Sequence, residues 1–314
     1  MSNKKVIAVV GATGAQGGGL VRAILADTTG EYAVRAITRD VSSEKAKALA
    51  QMGAEVVAAD VDSEESLTKA LQGAYGAFFV TFFWDHFSPE KEKQHARNMA
   101  NAAKAAGVQH VIWSSLEDTR KWIPLSDDRM PTLQEHYKVP HFDAKGEANA
   151  YFAEAGVPTT ILNTSFYWEN FIFFGSGPAR GEDGKLVLTM PMADKKLPGI
   201  AVADIGKTAF NIFKNPSYIG ATISIAGEHL TGEELAKGLS NAFGEEVVYN
   251  AVPASVFRTF GFPGADDMGN MYQFKAEFNA DYVGARNIDA VRAINPELQS
   301  FAQWLEENKE RIPR

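Results

Sequence analysis

Five apolar residues, Val6-Ile7-Ala8-Val9-Val10, run directly into Gly11-Ala12-Thr13-Gly14-Ala15-Gln16-Gly17-Gly18-Gly19. The run predicts a buried strand closed by Gly11, and Leu20, Val21, Ile24 and Leu25 then recur at helical spacing. Glycines at these spacings permit a tight turn, close backbone approach to a pyrophosphate and close helix–strand packing. Strand, glycine turn and helix in that order begin a βαβ unit, which commits the chain to a parallel sheet covered on its faces.

The alternation continues through the first half. Ala33–Thr38, Glu55–Ala59, Ala77–Val80, Val111–Trp113 and Thr159–Leu162 read as strands. Between them, Ser43–Gln51, a segment capped by Ser63 and running to Gly73, Glu90 to Ala106, and His141–Glu154 read as helices. Phe166–Pro198, rich in aromatics, Gly and Pro, reads as an excursion over the top of the sheet. Val202–Phe213 returns to helical period and Thr222–Ile225 predicts a seventh strand. Beyond Thr231 the segments read as mostly helical, interrupted by the turn-rich Phe260–Ala265. The expected fold is α/β: a doubly wound, Rossmann-type parallel sheet with a smaller, mostly helical C-terminal domain. The dinucleotide-binding domain is expected over 1–165, with 200–227 returning to it. Residues 166–199 and 228–314 would form the smaller lid, substrate or partner domain.

The 314 residues include no cysteine, which excludes disulfides, cysteine-ligated zinc, iron–sulfur clusters, catalytic thiols and thiolate redox sensing. A net charge of −8 argues against direct nucleic-acid or anionic-membrane binding. No apolar run approaches the ~18–20 residues of a membrane span, and Met1–Val6 lacks the apolar region of a signal peptide. A cytoplasmic protein is expected, with a nuclear location also open.

The end of the second predicted strand, Thr38-Arg39-Asp40, bears on the choice of dinucleotide. A site built for NAD usually carries an acidic residue there to take the ribose 2′-hydroxyl. Arg39 instead offers a permanent cation that can fork onto a 2′-phosphate, which favours NADP(H); pairing with Asp40 or Glu44 is the plainer alternative. Asp60 lies either near the adenine or in a turn-capping role.

With these residues in view, the chain resembles the NmrA-like group of atypical short-chain dehydrogenase/reductases over nearly its whole length. The marks are Gly11-Ala-Thr-Gly-Ala-Gln-Gly-Gly, Val80-Thr-Phe-Phe-Trp, His141-Phe-Asp-Ala-Lys-Gly-Glu, Phe166-Tyr-Trp-Glu-Asn and Gly261-Phe-Pro-Gly-Ala. The resemblance implies that Gly11, Thr13, Gly14, Ala15, Gln16, Gly17, Arg39, Asp60, Thr81, Phe82, Phe83, Lys145, Tyr167, Trp168, Glu169 and Asn170 surround NADP(H). It also implies a homodimer.

Short-chain reductases generally work through Tyr-x-x-x-Lys, with the tyrosine giving a proton to the developing alkoxide and the lysine holding the nicotinamide ribose. Here His141 stands where the tyrosine would, four residues before Lys145. His141 reads more simply as a surface residue where loop meets helix, with acid catalysis as the alternative. Tyr137 precedes Pro140 and is expected off the helix. Ser114, at a strand end, would either place a hydroxyl beside a substrate carbonyl or serve ordinary turn chemistry. The candidate catalytic residues are therefore Lys145, Ser114 and His141. Of the aromatics near the strand ends, Phe78 and Phe79 are expected in the core. Phe82, Phe83, Tyr167 and Trp168 are expected to wall a nicotinamide pocket. No metal site is expected, because the histidines show no ligand spacing, and no Gly-x-Ser-x-Gly elbow supports a hydrolase.

A cofactor site beside an altered catalytic one predicts a redox-sensing regulatory protein, whose conformation and protein partner depend on bound NADPH. The alternative is an NADPH-dependent oxidoreductase acting on a small-molecule quinone, enone or aromatic ether. The loops Thr81–Pro89 and Thr119–Pro140 are the expected moving parts.

Overall fold

The computed structural model describes residues 4–314. Its strands are β1 (Lys5–Val10), β2 (Tyr32–Thr38), β3 (Glu55–Ala58), β4 (Gly76–Phe79), β5 (His110–Ser115), β6 (Thr159–Asn163), β7 (Phe166–Tyr167), β8 (Ala179–Arg180), β9 (Leu186–Met190), β10 (Leu197–Ile200), β11 (Thr222–Ser224), β12 (Glu228–Leu230) and β13 (Val247–Ala251). The helices are α1 (Ala15–Leu25), α2 (Glu44–Gln51), α3 (Glu64–Leu71), α4 (Pro89–Ala105), α5 (Pro140–Glu154), α6 (Asn170–Phe173), α7 (Val202–Lys214), α8 (Gly232–Phe243), α9 (Ala254–Phe257), α10 (Ala265–Glu277), α11 (Asn279–Gly284), α12 (Ile288–Ile294) and α13 (Phe301–Asn308).

Seven strands form one sheet in the order β11-β6-β5-β4-β1-β2-β3. β1 pairs in parallel with β2 on one side and β4 on the other, Ile7 lying opposite Val34 and Gly76. The chain builds outward from β1 to β3, then restarts at β4 and builds the other way. That reversal opens a crevice at the carboxyl ends of β1 and β4, where ligands bind in this class of sheet. Both faces are covered, as the continuous apolar strands require. On one face Phe79 stacks on Phe152 at 6.2 Å, with Trp113 at 5.2 Å from the same ring. On the other, a Cβ on Gly206 of α7 would lie 2.3 Å from the Gly19 carbonyl carbon of α1, so this crossing tolerates only glycine. Ser43, Ser63 and Ser88 each accept a backbone N–H at the start of α2, α3 and α4, which fixes where those helices begin.

The chain divides into two compact units. The first holds residues up to Asp118, His141–Thr164 and Ile205–Ile223; the second holds Thr119–Pro140, Ser165–Asp204 and Ser224–Arg314. Thr119–Pro140 thus groups with the second unit and not within 1–165. Phe166–Pro198 is no irregular excursion: it carries β7 to β9 and opens β10. The region beyond Thr231 is not helical throughout, since β13 runs parallel to β9. Two three-stranded sheets result, β12-β10-β7 and β13-β9-β8. Their strands are short and, apart from the β8–β9 pair, join segments distant in the chain, so periodicity within a local window does not show them. The helices of this unit pack an aromatic core in which Phe301 stacks on Trp304 at 5.9 Å and Trp168 lies 5.4 Å from Phe301.

Candidate functional site

The glycine loop occupies the carboxyl end of β1. Gly11 has φ +72°, the left-handed region, and a Cβ there would meet Val80 Cγ1 at 2.9 Å. The Gly14 N–H donates to the Gly11 carbonyl at 2.9 Å, closing the turn. At Gly17 a Cβ would stand 2.3 Å from the Gly11 oxygen, so the helix can approach the strand only with glycine there. Gly14, the N-cap of α1, offers no side-chain oxygen, and the first turn bears no acid. Exposed Gly14 and Ala15 beside half-buried Thr13 leave backbone N–H groups and the positive end of the helix dipole facing the crevice. This cradle fits a pyrophosphate. Gln16 is buried, and its Oε1 accepts a hydrogen bond from the Ser114 hydroxyl at 2.7 Å. Ser114 is thereby tied to the loop at the end of β1.

Arg39 follows β2 with its side chain 74% exposed. It pairs with neither Asp40 nor Glu44. Asp40 instead accepts from the Ser42 hydroxyl and backbone N–H, while Arg39 Nη1 lies 3.4 Å from Asp85 Oδ2. Asp60 takes the turn-capping role, its Oδ1 accepting the Asp62 N–H at 2.9 Å.

Beyond β4 a buried polar cluster gathers around Lys145. Its Nζ donates to the Thr81 carbonyl at 3.2 Å and to the Thr81 hydroxyl, and lies 2.5 Å from Glu92 Oε1. The Thr81 hydroxyl in turn donates to Glu92. His86 Nδ1 accepts the Ser88 N–H at 3.1 Å, which puts the proton of the neutral ring on Nε2, 3.4 Å from Glu92 Oε2. Glu92 is wholly buried. Burial pushes its carboxyl up, but the Lys145 ammonium and the bonds from His86, Lys145 and Thr81 outweigh it and hold the group at about 2. The arrangement fixes the lysine nitrogen against the segment that leaves β4.

His141 differs from its simpler expectation. It is buried, not at the surface, because α5 turns it into an aromatic cage: Trp84 and Phe142 lie at 4.8 Å and Phe83 at 5.9 Å. It sits one helical turn before Lys145. Tyr137 is off the helix, bridged to Leu133. Phe83, expected to wall the pocket, is a buried part of this cage, whereas Phe82 is 54% exposed.

Tyr167–Asn170 belongs to the second unit. Tyr167 is half-buried. Trp168 is only 1% exposed and packs under Gly199, so its ring serves the core of that unit and does not wall a pocket. Glu169 accepts the Val202 N–H at 3.0 Å and the Trp304 indole N–H at 3.0 Å. Burial raises its pKa, opposed by those two bonds. Its carboxylate thus stitches distant segments of the second unit together.

Sequence reasoning missed Glu92, His86 and Asp85. A signal existed for Glu92, which shares the buried stripe of α4 with His95, Ala96 and Met99 at helical spacing. An acid on a buried stripe needs a partner. None of the three belongs to a motif. Among the described residues there is no cluster of metal-ligating side chains, and no helix is long and apolar enough to cross a membrane.

A doubly wound sheet with a glycine cradle at its reversal point and a buried lysine beyond β4 defines a dinucleotide-binding protein of the short-chain reductase type. The chain belongs to the NmrA-like family, whose model matches residues 3–305. It is 30% identical over 271 residues to quinone oxidoreductase 2 of Escherichia coli (strain K12), spanning 84% of this chain and 85% of that one. Its fold matches NmrA, a negative transcriptional regulator, with a TM-score of 0.79 at 23% identity over 98% and 95% of the two chains. It also matches the NADPH-dependent quinone oxidoreductase QOR2 of Escherichia coli, solved with NADPH, with a TM-score of 0.74 at 25% identity over 96% and 99%.

Proposed function

We propose that this protein is an NADP(H)-dependent oxidoreductase whose acceptor is an electron-poor small molecule of the quinone class. The carrying observation is the Lys145–Thr81–Glu92 cluster with His141 caged one turn before it: a built site where the sequence alone pointed to a degraded one. Gly11, Thr13, Gly14, Ala15, Gln16 and Gly17 hold the pyrophosphate and Arg39 the 2′-phosphate. Thr81, Phe82, Phe83 and Lys145 take the nicotinamide ribose side. When bound, NADPH supplies a hydride.

A quinone makes a modest demand on acid catalysis. Hydride addition leaves a hydroquinone anion whose charge spreads over the ring, so one proton from an imidazole or from water completes the reduction. A tyrosine hydroxyl beside Lys145 is then unnecessary, and His141 is adequate. The resemblance to a quinone oxidoreductase supports the same acceptor class. The test is steady-state oxidation of NADPH with a panel of quinones, using the intact chain. Turnover is expected, with kcat falling in His141→Phe while NADPH still binds. Absence of turnover across the panel, with NADPH bound, would overturn this reading.

A second reading, a redox-sensing regulator acting as a homodimer on a protein partner, draws support from the fold of NmrA and from the Arg39–Asp85 contact, which a cofactor phosphate would disturb. It requires unequal partner affinity in the two cofactor states. Identical proteolysis patterns with NADPH, with NADP and with neither would count against it.

A further inference from the structure

The sheet order makes the Arg39–Asp85 contact more than a surface pair. Arg39 follows β2 and Asp85 follows β4, and these strands flank β1 on opposite sides. A bridge from one to the other therefore crosses the carboxyl end of β1, above the glycine loop that cradles a pyrophosphate. The segment carrying Asp85 is tightly wound. Asp85 N–H donates to the Phe82 carbonyl at 3.2 Å, and the His86 and Phe87 N–H groups both donate to Phe83. Phe87 closes the turn at φ +53°, a conformation that a bulky side chain rarely adopts. The same segment begins at Thr81, which holds Lys145. One short stretch thus touches the cation after β2 and the lysine of α5.

We propose that Asp85 is a specificity-determining residue: it competes with the ligand's 2′-phosphate for Arg39, making Phe82–Phe87 a strap across the crevice that 2′-phosphorylated dinucleotides open and unphosphorylated ones leave closed. The proposal rests on the reading that Arg39 receives the 2′-phosphate. The physical grounds are charge and geometry. Arg39 presents one planar fork, and a carboxylate and a phosphate both fit it. A phosphate carries more charge than Asp85 and wins the cation. Once displaced, Asp85 faces an anion and is repelled, which moves the segment that carries Trp84. A 2′-hydroxyl has no charge with which to compete, so the contact persists under NAD.

The experiment is calorimetric titration of the 314-residue chain, its Asp85→Asn variant and its Arg39→Gln variant with NADP, NAD, 2′,5′-ADP and 5′-AMP. A screened, exposed pair of this kind is worth a few-fold in affinity. Asp85→Asn is expected to tighten NADP and 2′,5′-ADP by about fivefold and leave NAD and 5′-AMP unchanged, with the gain shrinking as salt rises. Trp84 fluorescence, assigned by difference against Trp84→Phe, should shift with 2′,5′-ADP and not with 5′-AMP. An unchanged or lowered preference for NADP in Asp85→Asn would overturn the competition, the lowered case meaning that Asp85 orients Arg39. Equal NADP affinity in wild type and Arg39→Gln would instead overturn the placement of the 2′-phosphate, a different failure with a different signature.

Discussion

Glu92 of α4, wholly buried, lies 2.5 Å from the ammonium nitrogen of Lys145 in α5, with the Thr81 hydroxyl bonded to both. Removing the lysine alone leaves an uncompensated carboxylate in the interior. Lys145→Met is expected to cost about 3–5 kcal/mol of stability, most of it recovered in Lys145→Met/Glu92→Gln. Denaturant melts of the two singles and the double measure this coupling. The pH dependence carries a sign. In the wild type Glu92 is held at about 2, below its ordinary value, so its contribution is present above that ordinary value and is lost as pH falls toward 2. In Lys145→Met burial dominates and the pKa rises. The stability gap between the two proteins should therefore widen from about pH 3 to pH 7.

His110 predicts a separate acid transition. It is wholly buried; its Nε2 lies 2.9 Å from the Thr160 hydroxyl, which itself donates to the Tyr218 carbonyl. The ring must therefore donate from Nε2, and Nδ1 has no acceptor among the described residues. Burial lowers its pKa to about 4. The unfolded chain thus binds the proton first, and stability is lost as pH falls from about 6.5 to about 4, by at most about 3 kcal/mol. His110→Gln should flatten that window in a pH series of thermal melts, leaving the steeper loss below it.

Gly17→Ala places a methyl group 2.3 Å from the Gly11 carbonyl oxygen, which is backbone and cannot swing aside. Strand and helix must separate, and the cradle opens. Affinity for NADPH is expected to fall by about tenfold or more, equivalent to about 1.4 kcal/mol, in a calorimetric titration. Gly30→Ala, which meets nothing within 4 Å but has φ +73°, is the comparison: a strain cost in the melt with unchanged binding.

Glu169 accepts from two donors, and no neutral amide can replace both bonds at once. Glu169→Gln turns an NH2 toward either Val202 or the Trp304 indole and loses about 1–3 kcal/mol. Denaturant melts of Glu169→Gln against the wild type measure that loss.

His141→Phe keeps the aromatic cage and removes the proton. With a quinone, kcat is expected to drop by about a hundredfold while KM for NADPH holds. An unchanged kcat would assign the proton to water.

Much of the first unit was legible. β1, β2 and β6, the start of α2, the cap Ser63 and the glycine loop lie within a residue or two of their sequence expectations, because period and cap chemistry act over a few neighbours. The second unit was less so. Leu186-Val-Leu-Thr-Met190 does alternate, with Leu186, Leu188 and Met190 buried, but its partners β8 and β13 supply too little local context to identify a sheet. Trp168 and Glu169 read as ligand-facing because they stand in a family motif. Trp168 instead packs in an aromatic core with Phe301 and Trp304, and Glu169 accepts two structural hydrogen bonds.

The sequence by itself determined the βα alternation, the absence of any thiol, the glycine turn at the end of β1 and a cation at the end of β2. Each is a property of a residue and its near neighbours. Only the tertiary structure decided which groups those residues meet: Asp85 opposite Arg39, Glu92 beneath Lys145, and His141 inside an aromatic cage instead of at the surface. The reason is physical. A φ sign or a helical period is set by local sterics, whereas the partner of a charge depends on which strands the sheet brings together, and here the order β5-β4-β1-β2 did so.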